Sequence, residues 1–397
     1  MREASVDRKD LGTWAGFLVN HSLGGITSED RVMIKGERIV WPLMEMLERK
    51  VIETGGIPDV HLIPPNNDRG RVWSAAMGRH GSPEQLSSVP KWHKARYDSM
   101  TKYIEVLGTE DPKAYTGLTA EQVGAVAVAD KPYFETRVRK RWVITLYPTP
   151  SSAEMEGISL DEYTAFIVGA STTDPSTLEK AERRLAPLFA ESSTITIVTE
   201  CPRRGRELTL ELDIGQSRPE LCYGLRNFPD GEIFTSPAAN GVDGEIFLDL
   251  PVHYGGVDLQ GIYLKLEGGR IVEHDADKGR ERLAAIVGTD DGSKRLGEVA
   301  LGMNPGMDRV LKHPLFVEKV GGTLHIAIGA AVESCFVEDP TSDEGKQKLE
   351  QLEQIGVLNR SAQHVDIVAD FRPGGCGRRV LLDDQELVVR DGLWVPV

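Results

Sequence analysis

Apolar residues in the first part of the chain recur with two different spacings, which predict alternating strands and helices. A short apolar run predicts a strand over residues 31–35, and apolar side chains three to four positions apart predict a helix over residues 40–53. The pair Gly55-Gly56 is a helix-ending signal, and residues 60–63 form the next apolar run. A strand, a helix and a strand in this order form a βαβ unit, so the two strands are expected to pair in parallel.

The same patterns continue as far as residue 205. Further strands are predicted over residues 123–129, 142–147 and 194–199, and further helices over residues 91–107, 159–168 and 176–189. The last two helices open with a serine followed three residues later by a glutamate, which is the capping-box pattern. The predicted fold class is therefore α/β, with an N-terminal α/β layer domain over residues 1–205.

From residue 206 the pattern changes to strands joined by tight turns. Strands are predicted over residues 208–214, 244–253, 262–267 and 270–272, with one helix over residues 276–287 and a charged surface helix or loop over residues 342–358. Asp383-Asp384 and Asp391-Gly392 are further hairpin signals. A second domain, of mixed α+β type, is therefore predicted over residues 206–397, and we expect it to be the catalytic, metal-binding domain.

Charge and cysteine content restrict the classes of partner. The chain has 397 residues and a formal net charge of −15, which argues against nucleic acid and anionic membrane as partners. Its four cysteines have no CxxC spacing, and Cys376, on a glycine-rich turn, has no assignable His or Asn partner for nucleophilic catalysis. The polar opening residues lack an apolar signal core, so a cytoplasmic location is expected.

Residues 318–329 (EKVGGTLHIAIG) hold the most informative candidate chemistry. In the strand-like part of this segment, His325 shares a face with Ala327 and Gly329, because side chains alternate along a strand. His364 and Asp366 are also two positions apart and therefore share a face of another strand. A histidine in such a place is either a satisfied core residue or a ligand with open space beside it.

Two glutamates strengthen the metal-site interpretation. Glu232 and Glu298 each follow a glycine and precede apolar residues, whereas most glutamates are solvated surface charges. Histidine and carboxylate ligands without cysteine are typical of catalytic zinc, cobalt, manganese or iron sites. One metal needs three or four such groups, whereas six would suit two metals that share a bridging carboxylate.

Four sequence segments resemble the M29 family of metallopeptidases, the aminopeptidase T and aminopeptidase S type. They are residues 227–235 (NFPDGEIFT), 296–301 (LGEVAL), 318–329 and 361–366 (SAQHVD). The resemblance implies a homodimer whose C-terminal domain binds two divalent ions, Zn, Co or Mn, and cleaves an amide or N-terminal peptide bond of a small-molecule or short peptide substrate. The ligands that it implies are Glu232, Glu298, Glu318, His325, His364 and Asp366. Glu298 matches the bridging carboxylate, and Glu298 and Glu232 are the expected catalytic residues.

One position departs from the family pattern. The family's peptidases carry a tyrosine seven residues after the histidine that matches His325, where it is thought to stabilise the tetrahedral intermediate. This chain has Val332 there, and Glu333 or Ser334 are the neighbouring polar residues that could substitute. Loss of a donor to a developing oxyanion costs roughly 10²–10³ in rate, so the departure bears directly on peptidase activity.

Two alternatives stay open at this point. The same segments resemble the 2,5-dihydroxypyridine 5,6-dioxygenases, in which two histidines and one aspartate bind a single Fe(II); His325, His364 and Asp366 would supply that triad for opening a hydroxylated pyridine-like ring. A catalytically silent protein that keeps the metal for structure is the other alternative. The three glutamates are not needed by a ring-cleaving dioxygenase, so the hydrolase is the preferred hypothesis.

Overall fold

The structure is a computed structural model that describes residues 4–63, 73–111, 118–254, 257–373 and 377–397. Cys376 lies outside the described residues. Within the described ranges, no helix is both long and apolar enough to cross a bilayer.

The helices and strands are numbered here in chain order. The helices are α1 Arg8–Phe17, α2 Trp41–Glu53, α3 Ala75–His80, α4 Pro83–Leu86, α5 Lys91–Ser99, α6 Ala120–Val138, α7 Pro150–Glu156, α8 Leu160–Thr172, α9 Pro175–Glu191, α10 Arg280–Val287, α11 Pro314–Val317 and α12 Asp343–Gln354. The strands of the first half are β1 Arg31–Gly36, β2 Ile57–Leu62, β3 Lys102–Leu107, β4 Arg141–Leu146, β5 Thr194–Cys201, β6 Arg206–Asp213, β7 Glu220–Cys222, β8 Asn227–Phe228 and β9 Glu232–Thr235. Those of the second half are β10 Val242–Leu248, β11 Val252–Tyr254, β12 Val257–Glu267, β13 Arg270–Lys278, β14 Leu296–Gly302, β15 Thr323–Gly329, β16 His364–Asp370, β17 Arg379–Leu382, β18 Gln385–Arg390 and β19 Leu393–Pro396.

The chain forms two compact units. Unit 1 comprises Met1–Pro175 and Gly224–Pro229, and it contains a parallel sheet of strand order β2-β1-β3-β4-β8. The parallel pairing of β1 with β2, predicted from the βαβ spacing, is confirmed. The α/β fold class is confirmed as well.

Two local predictions in unit 1 were wrong. Residues 123–129 lie within α6, whose start is fixed by a capping box between Thr119 and Gln122, so an alanine- and valine-rich run continues as helix. The predicted helix over residues 91–107 ends at Ser99, and the remainder is β3, the middle strand of the sheet. Tyr103, Ile104 and Val106 are buried there, and a short apolar run of this kind does not distinguish a buried strand from a helix by its spacing.

Unit 2 comprises Ser176–Tyr223 and Asp230–Val397 and contains two antiparallel sheets. A larger sheet has the strand order β11-β12-β10-β6-β5-β17-β18-β19, with β13 paired to β12. The predicted domain boundary at residue 205 falls between β5 and β6, inside this sheet. These strands are paired along their whole length, and Leu185 and Phe189 of α9 pack in the same core, so the compact unit begins earlier, at Ser176.

The smaller sheet of unit 2 has the strand order β16-β15-β14-β9-β7. Every residue of β14 and β15 is buried. Leu324, Ile326 and Ile328 of β15 join the large core of unit 2, so the predicted face of β15 opposite His325 is apolar. This apolar face fixes the register, because a slip by one residue would turn the apolar side chains away from the core.

A buried carboxylate near the start of the parallel sheet makes the stability of unit 1 dependent on pH. Asp30 accepts hydrogen bonds from Thr27 and Thr101 and lies 3.0 Å from the Lys102 ammonium. Burial raises the pKa of Asp30, but these hydrogen bonds and the Lys102 charge outweigh burial and lower it to about 2. Because the folded pKa lies below the unfolded value, the stabilisation is present above a pH of about 4 and is lost as the pH falls towards 2.

We expect Asp30→Asn to lower the free energy of unfolding of unit 1 by about 1–2 kcal/mol at pH 7. The difference from the wild type should shrink as the pH falls from about 4 to about 2, which urea denaturation at several pH values would measure. Glu29→Gln is the matched control, because Glu29 is the exposed neighbour in the chain. An equal loss of stability at pH 7 and pH 2.5 would contradict the assignment to the carboxylate charge.

Candidate metal centre

The register of the smaller sheet places four of the six predicted ligands on one face. Ala327 of β15 pairs with Glu298 of β14 on one side and with Asp366 of β16 on the other. Gly329 pairs with His364, and His325 lies on the same face, two residues before Ala327. Ala327 and Gly329 have small side chains or none, so they add no bulk to this face between the larger polar groups.

The other two predicted ligands reach the same place from the edge of the sheet and from a turn. Glu232 begins β9 and pairs with Gly302 at the far end of β14. Glu318 directly follows the short helix α11, where it forms the helix C-cap. The structure thus brings all six predicted side chains into unit 2 and into one cluster.

Glu298 is the centre of this cluster. Its Oε1 lies 3.1 Å from His325 Nε2, and its Oε2 lies 3.4 Å from His364 Nε2. Each imidazole also faces a second carboxylate: Glu232 Oε2 is 3.5 Å from His325 Nε2, and Asp366 Oδ1 is 3.5 Å from His364 Nε2. A carboxylate that presents one oxygen to each of two imidazoles has the arrangement required of a bridging ligand.

Among the six predicted ligands, three overlapping sets of donor atoms are close enough to hold an ion. In each set the donor atoms lie within 4.8 Å of one another, and the sets are Glu232–Glu298–His325, Glu298–His364–Asp366 and Glu318–His325–Asp366. The two imidazoles fall in different sets. We call the places beside them the His325 position and the His364 position.

The donor atoms fit divalent cations in chemistry as well as in spacing. Glu232 Oε2, His325 Nδ1 and Asp366 Oδ1 are buried without a hydrogen-bond partner among the described residues, which is costly unless something else binds them. His364 Nδ1 lies 2.8 Å from the Ala330 carbonyl oxygen, which can only accept, so Nδ1 carries the proton. In the neutral ring the lone pair of His364 is therefore on Nε2, which faces the cluster, as in histidines that bind metals.

Electrostatics in the metal-free cluster favour protonated imidazoles. Burial lowers the pKa of both histidines, but the hydrogen bonds and charges of the carboxylates outweigh it and raise the pKa of His325 to about 9 and that of His364 to about 11. Burial raises the pKa of Glu298, yet hydrogen bonds from both imidazoles lower it to about 2. Burial, with Asp366 and Glu232 nearby, raises the pKa of Glu318 to about 8. Ion binding must therefore displace protons, so metal affinity falls as the pH is lowered.

Sequence reasoning missed a second layer of buried charge behind Glu232. Lys319 is 2% exposed, and its ammonium contacts Glu232, lies 3.0 Å from Glu318 Oε1 and lies 3.7 Å from Asp230 Oδ1. Glu182 of α9 is also fully buried near these groups, and burial raises its pKa well above the usual range. The sequence signal for these charges was their proximity to predicted ligands: Lys319 directly follows Glu318, and Asp230 precedes Glu232 by two residues.

The segment after β15 carries the position at which the family pattern is broken. The Val332 amide donates to Ser236 Oγ, and its side chain packs against a small apolar cluster that includes Phe336 and Leu349. Glu333, one of the two predicted substitutes, binds the exposed Arg360. Ala330, at the start of this segment, lies close to Gly297 of β14: a Cβ at position 297 would be 2.0 Å from the Ala330 carbonyl oxygen.

Comparison with known proteins gives consistent matches. The family profile described as thermophilic metalloprotease (M29) matches residues 7–394. Aminopeptidase 2 of Geobacillus stearothermophilus is 33% identical over 396 residues, which span 89% of this chain and 90% of that protein. Aminopeptidase T of Thermus thermophilus is 29% identical over 320 residues, 72% of this chain and 75% of that protein.

Solved structures agree at the level of the fold. Wild-type AmpT from Thermus thermophilus superposes with a TM-score of 0.73 at 22% identity, covering 98% of both chains. A 2,5-dihydroxypyridine dioxygenase from Pseudomonas putida KT2440 shares the fold with a TM-score of 0.53 at 13% identity, again over 98% of both chains.

These matches define the class of protein, which is an aminopeptidase-like metallohydrolase. The chain belongs to the M29 family of metallopeptidases. The resemblance stated from the four sequence segments is confirmed, and so is the link in fold to the ring-cleaving dioxygenases. The six ligands remain a prediction.

We expect Glu298→Gln to remove metal from both positions, because Glu298 belongs to the donor sets of both. An amide has only one oxygen that can bind an ion, so the affinity for divalent ions should fall about 100-fold or more. Elemental analysis after dialysis against Co²⁺ would measure the loss. Glu211→Gln is the matched control, since Glu211 is an exposed glutamate on β6. Full metal content in the Glu298 variant would contradict the bridging role.

Proposed function

We propose that the protein is a hydrolase that cleaves an amide or N-terminal peptide bond with the help of two divalent ions bound by Glu232, Glu298, Glu318, His325, His364 and Asp366. One observation carries this proposal: the two oxygens of Glu298 face two different imidazoles, at 3.1 and 3.4 Å. A single ion has no need of a carboxylate in that place, whereas two neighbouring ions share it.

The charge of the site supports two ions. Apart from Glu182, whose burial favours the neutral form, five buried or partly buried carboxylates surround it: Asp230, Glu232, Glu298, Glu318 and Asp366. When all are ionised, the Lys319 ammonium and one divalent ion leave two negative charges without compensation. Lys319 and two divalent ions balance the five carboxylates, and buried charge that is not balanced is strongly unfavourable.

The residues of the chain hold the ions and restrict their surroundings. Two divalent ions at such a site lower the pKa of water and polarise a carbonyl. Glu298 fixes the distance between the two positions, and the Ala330 carbonyl fixes the ring of His364 through its Nδ1 proton. Ala327 and Gly329, which pair with Asp366 and His364, place no bulky side chain beside these two groups.

The dioxygenase alternative is less well supported. Its triad of His325, His364 and Asp366 would have to surround one ion, yet the two imidazoles fall in different donor sets. The similarity to the Pseudomonas enzyme is a similarity of fold. The homodimeric state and the cytoplasmic location stay predictions, as does the choice among Zn, Co and Mn.

Metal stoichiometry combined with turnover tests the proposal. Protein purified without oxygen and loaded with Zn²⁺, Co²⁺ or Mn²⁺ should bind about two ions per chain. The loaded protein should release p-nitroaniline from at least one of a panel of aminoacyl p-nitroanilides. One tightly bound iron per chain, together with oxygen uptake on hydroxylated pyridines, would overturn the proposal in favour of the dioxygenase.

The tyrosine position gives a separate prediction about rate. If the missing hydroxyl limits the reaction, Val332→Tyr should raise kcat on aminoacyl p-nitroanilides by up to roughly 10²-fold, because a donor to the developing oxyanion is restored. Val332→Phe is the matched control, since it adds the ring without the hydroxyl. Equal rates in the two variants would show that the hydroxyl is not what limits turnover.

A further inference from the structure

Lys319 is the buried cation that the six predicted ligands leave unexplained. A lysine that is 2% exposed is unusual, because burial of an ammonium is costly unless anions surround it. Here its Nζ contacts Glu232 Oε1 and lies 3.0 Å from Glu318 Oε1 and 3.7 Å from Asp230 Oδ1. Two of these three partners are predicted ligands of the His325 position.

The contact with Glu232 is directional. Lys319 binds Oε1, which leaves Oε2, the oxygen 3.5 Å from His325 Nε2, without a hydrogen-bond partner among the described residues. The two oxygens of Glu232 therefore have different roles: Oε1 binds the ammonium and holds the side chain, and Oε2 faces the donor set. Glu318 Oε1 lies 3.0 Å from the same ammonium.

The backbone around Lys319 is itself fixed by one residue, Asn304, through its backbone and its side chain. The Asn304 amide N–H donates to the Lys319 carbonyl, and the Asn304 side-chain amide donates to the Asp230 carbonyl, at 3.0 and 2.6 Å. Asn304 is 1% exposed, and Gly231 packs so closely on it that a Cβ at 231 would lie 2.8 Å from the Asn304 Cβ. The segments that carry Lys319, Asp230 and Glu232 are thus joined before any ion binds.

A third metal ion is the obvious competitor for this place. Donor atoms of Cys222, Asp230 and Glu232 also lie within 4.8 Å of one another. The Lys319 ammonium already provides the positive charge next to Asp230 and Glu232, and a further divalent ion would exceed the charge of the five carboxylates. A resident cation is therefore a better account of these contacts than a third ion.

We propose that Lys319 is a positioning residue for the His325 position: its ammonium holds Glu232 and Glu318 by one oxygen each, so that their other oxygens bind the ion at that position. This inference rests on the proposed two-ion hydrolase. A residue that orients a ligand in this way is worth about 10- to 100-fold in metal affinity or activity. The His364 position, whose ligands Lys319 does not contact, should keep its affinity.

The test compares metal-free wild type, Lys319→Met and the double variant Asp230→Asn/Lys319→Met by calorimetric titration with Co²⁺. Lys319→Met should weaken one of the two equivalents of Co²⁺, the one at the His325 position, by about 10- to 100-fold and leave the other within a few-fold of wild type. The double variant loses one positive and one negative charge, so its fold should be less disturbed, yet it should bind that equivalent as weakly as Lys319→Met does. Lys312→Met is the control, because Lys312 is a partly exposed lysine that pairs with Asp258.

Each outcome is decisive. Two equivalents bound as in wild type by either Lys319 variant would overturn the positioning role, and recovery in the double variant alone would show that Lys319 supplies only charge. If Lys319→Met does not fold, the double variant decides between the same two results. If the wild type and a Lys319 variant both bind two ions and are both active, only this inference is contradicted, and the proposed function stands. A wild type that binds only one ion contradicts the proposed function and this inference together.

Discussion

The structure depends on one strand that separates two incompatible environments. On β15, Leu324, Ile326 and Ile328 pack into the large core of unit 2, while His325 faces a group of buried carboxylates. The apolar face supplies the energy that fixes the register, roughly 25 cal/mol for each Å² of apolar surface buried. The polar face depends on that register, because the predicted ligands on three neighbouring strands meet only if all three strands pair as they do. The core therefore stabilises an arrangement of like charges that would not persist without it.

The sequence predicted those features of the site that depend on residues close together in the chain, and it did not predict contacts between distant segments. His364 and Asp366 share a face because they are two residues apart on a strand, and this is visible in any alternating segment. The approach of Glu232 to His325 is different, since β9 and β15 are separated by β14 and by some ninety residues of chain. Local context made Glu232 a candidate, but only the family resemblance assigned it to the same site as His325, and the position of Lys319 beside Glu318 was too common a pattern to show that Lys319 lies behind Glu232. A single lysine next to a glutamate is ordinary in sequence and becomes informative only when both are buried.

The two wrong predictions in unit 1 come from short apolar runs, which do not distinguish a strand from a helix. β3 lies between two parallel neighbours and is buried, so its residues lack the alternation that marks a half-exposed strand. Residues 123–129 were predicted to form a strand because they are small and apolar, but they follow a capping box at Thr119, where a helix begins. The capping signal was present in the sequence, and it was a better guide than the apolar run. The predicted boundary at residue 205 differs from the observed one for another reason. The change to hairpins at residue 206 coincides with the start of β6, whose partner strand β5 precedes it in the sequence and belongs to the same sheet.

The close approach of Gly297 to the chain at Ala330 links the metal centre to the segment that carries Val332. Any side chain at 297 would push against the Ala330 carbonyl, the same carbonyl that orients His364. The path of the segment across the end of the sheet is consequently part of the ligand geometry and is not free to drift. An insertion next to Ala330 would move the carbonyl that orients His364, whereas an exchange of side chains along the segment would leave that carbonyl in place. The segment can therefore vary in composition more easily than in length.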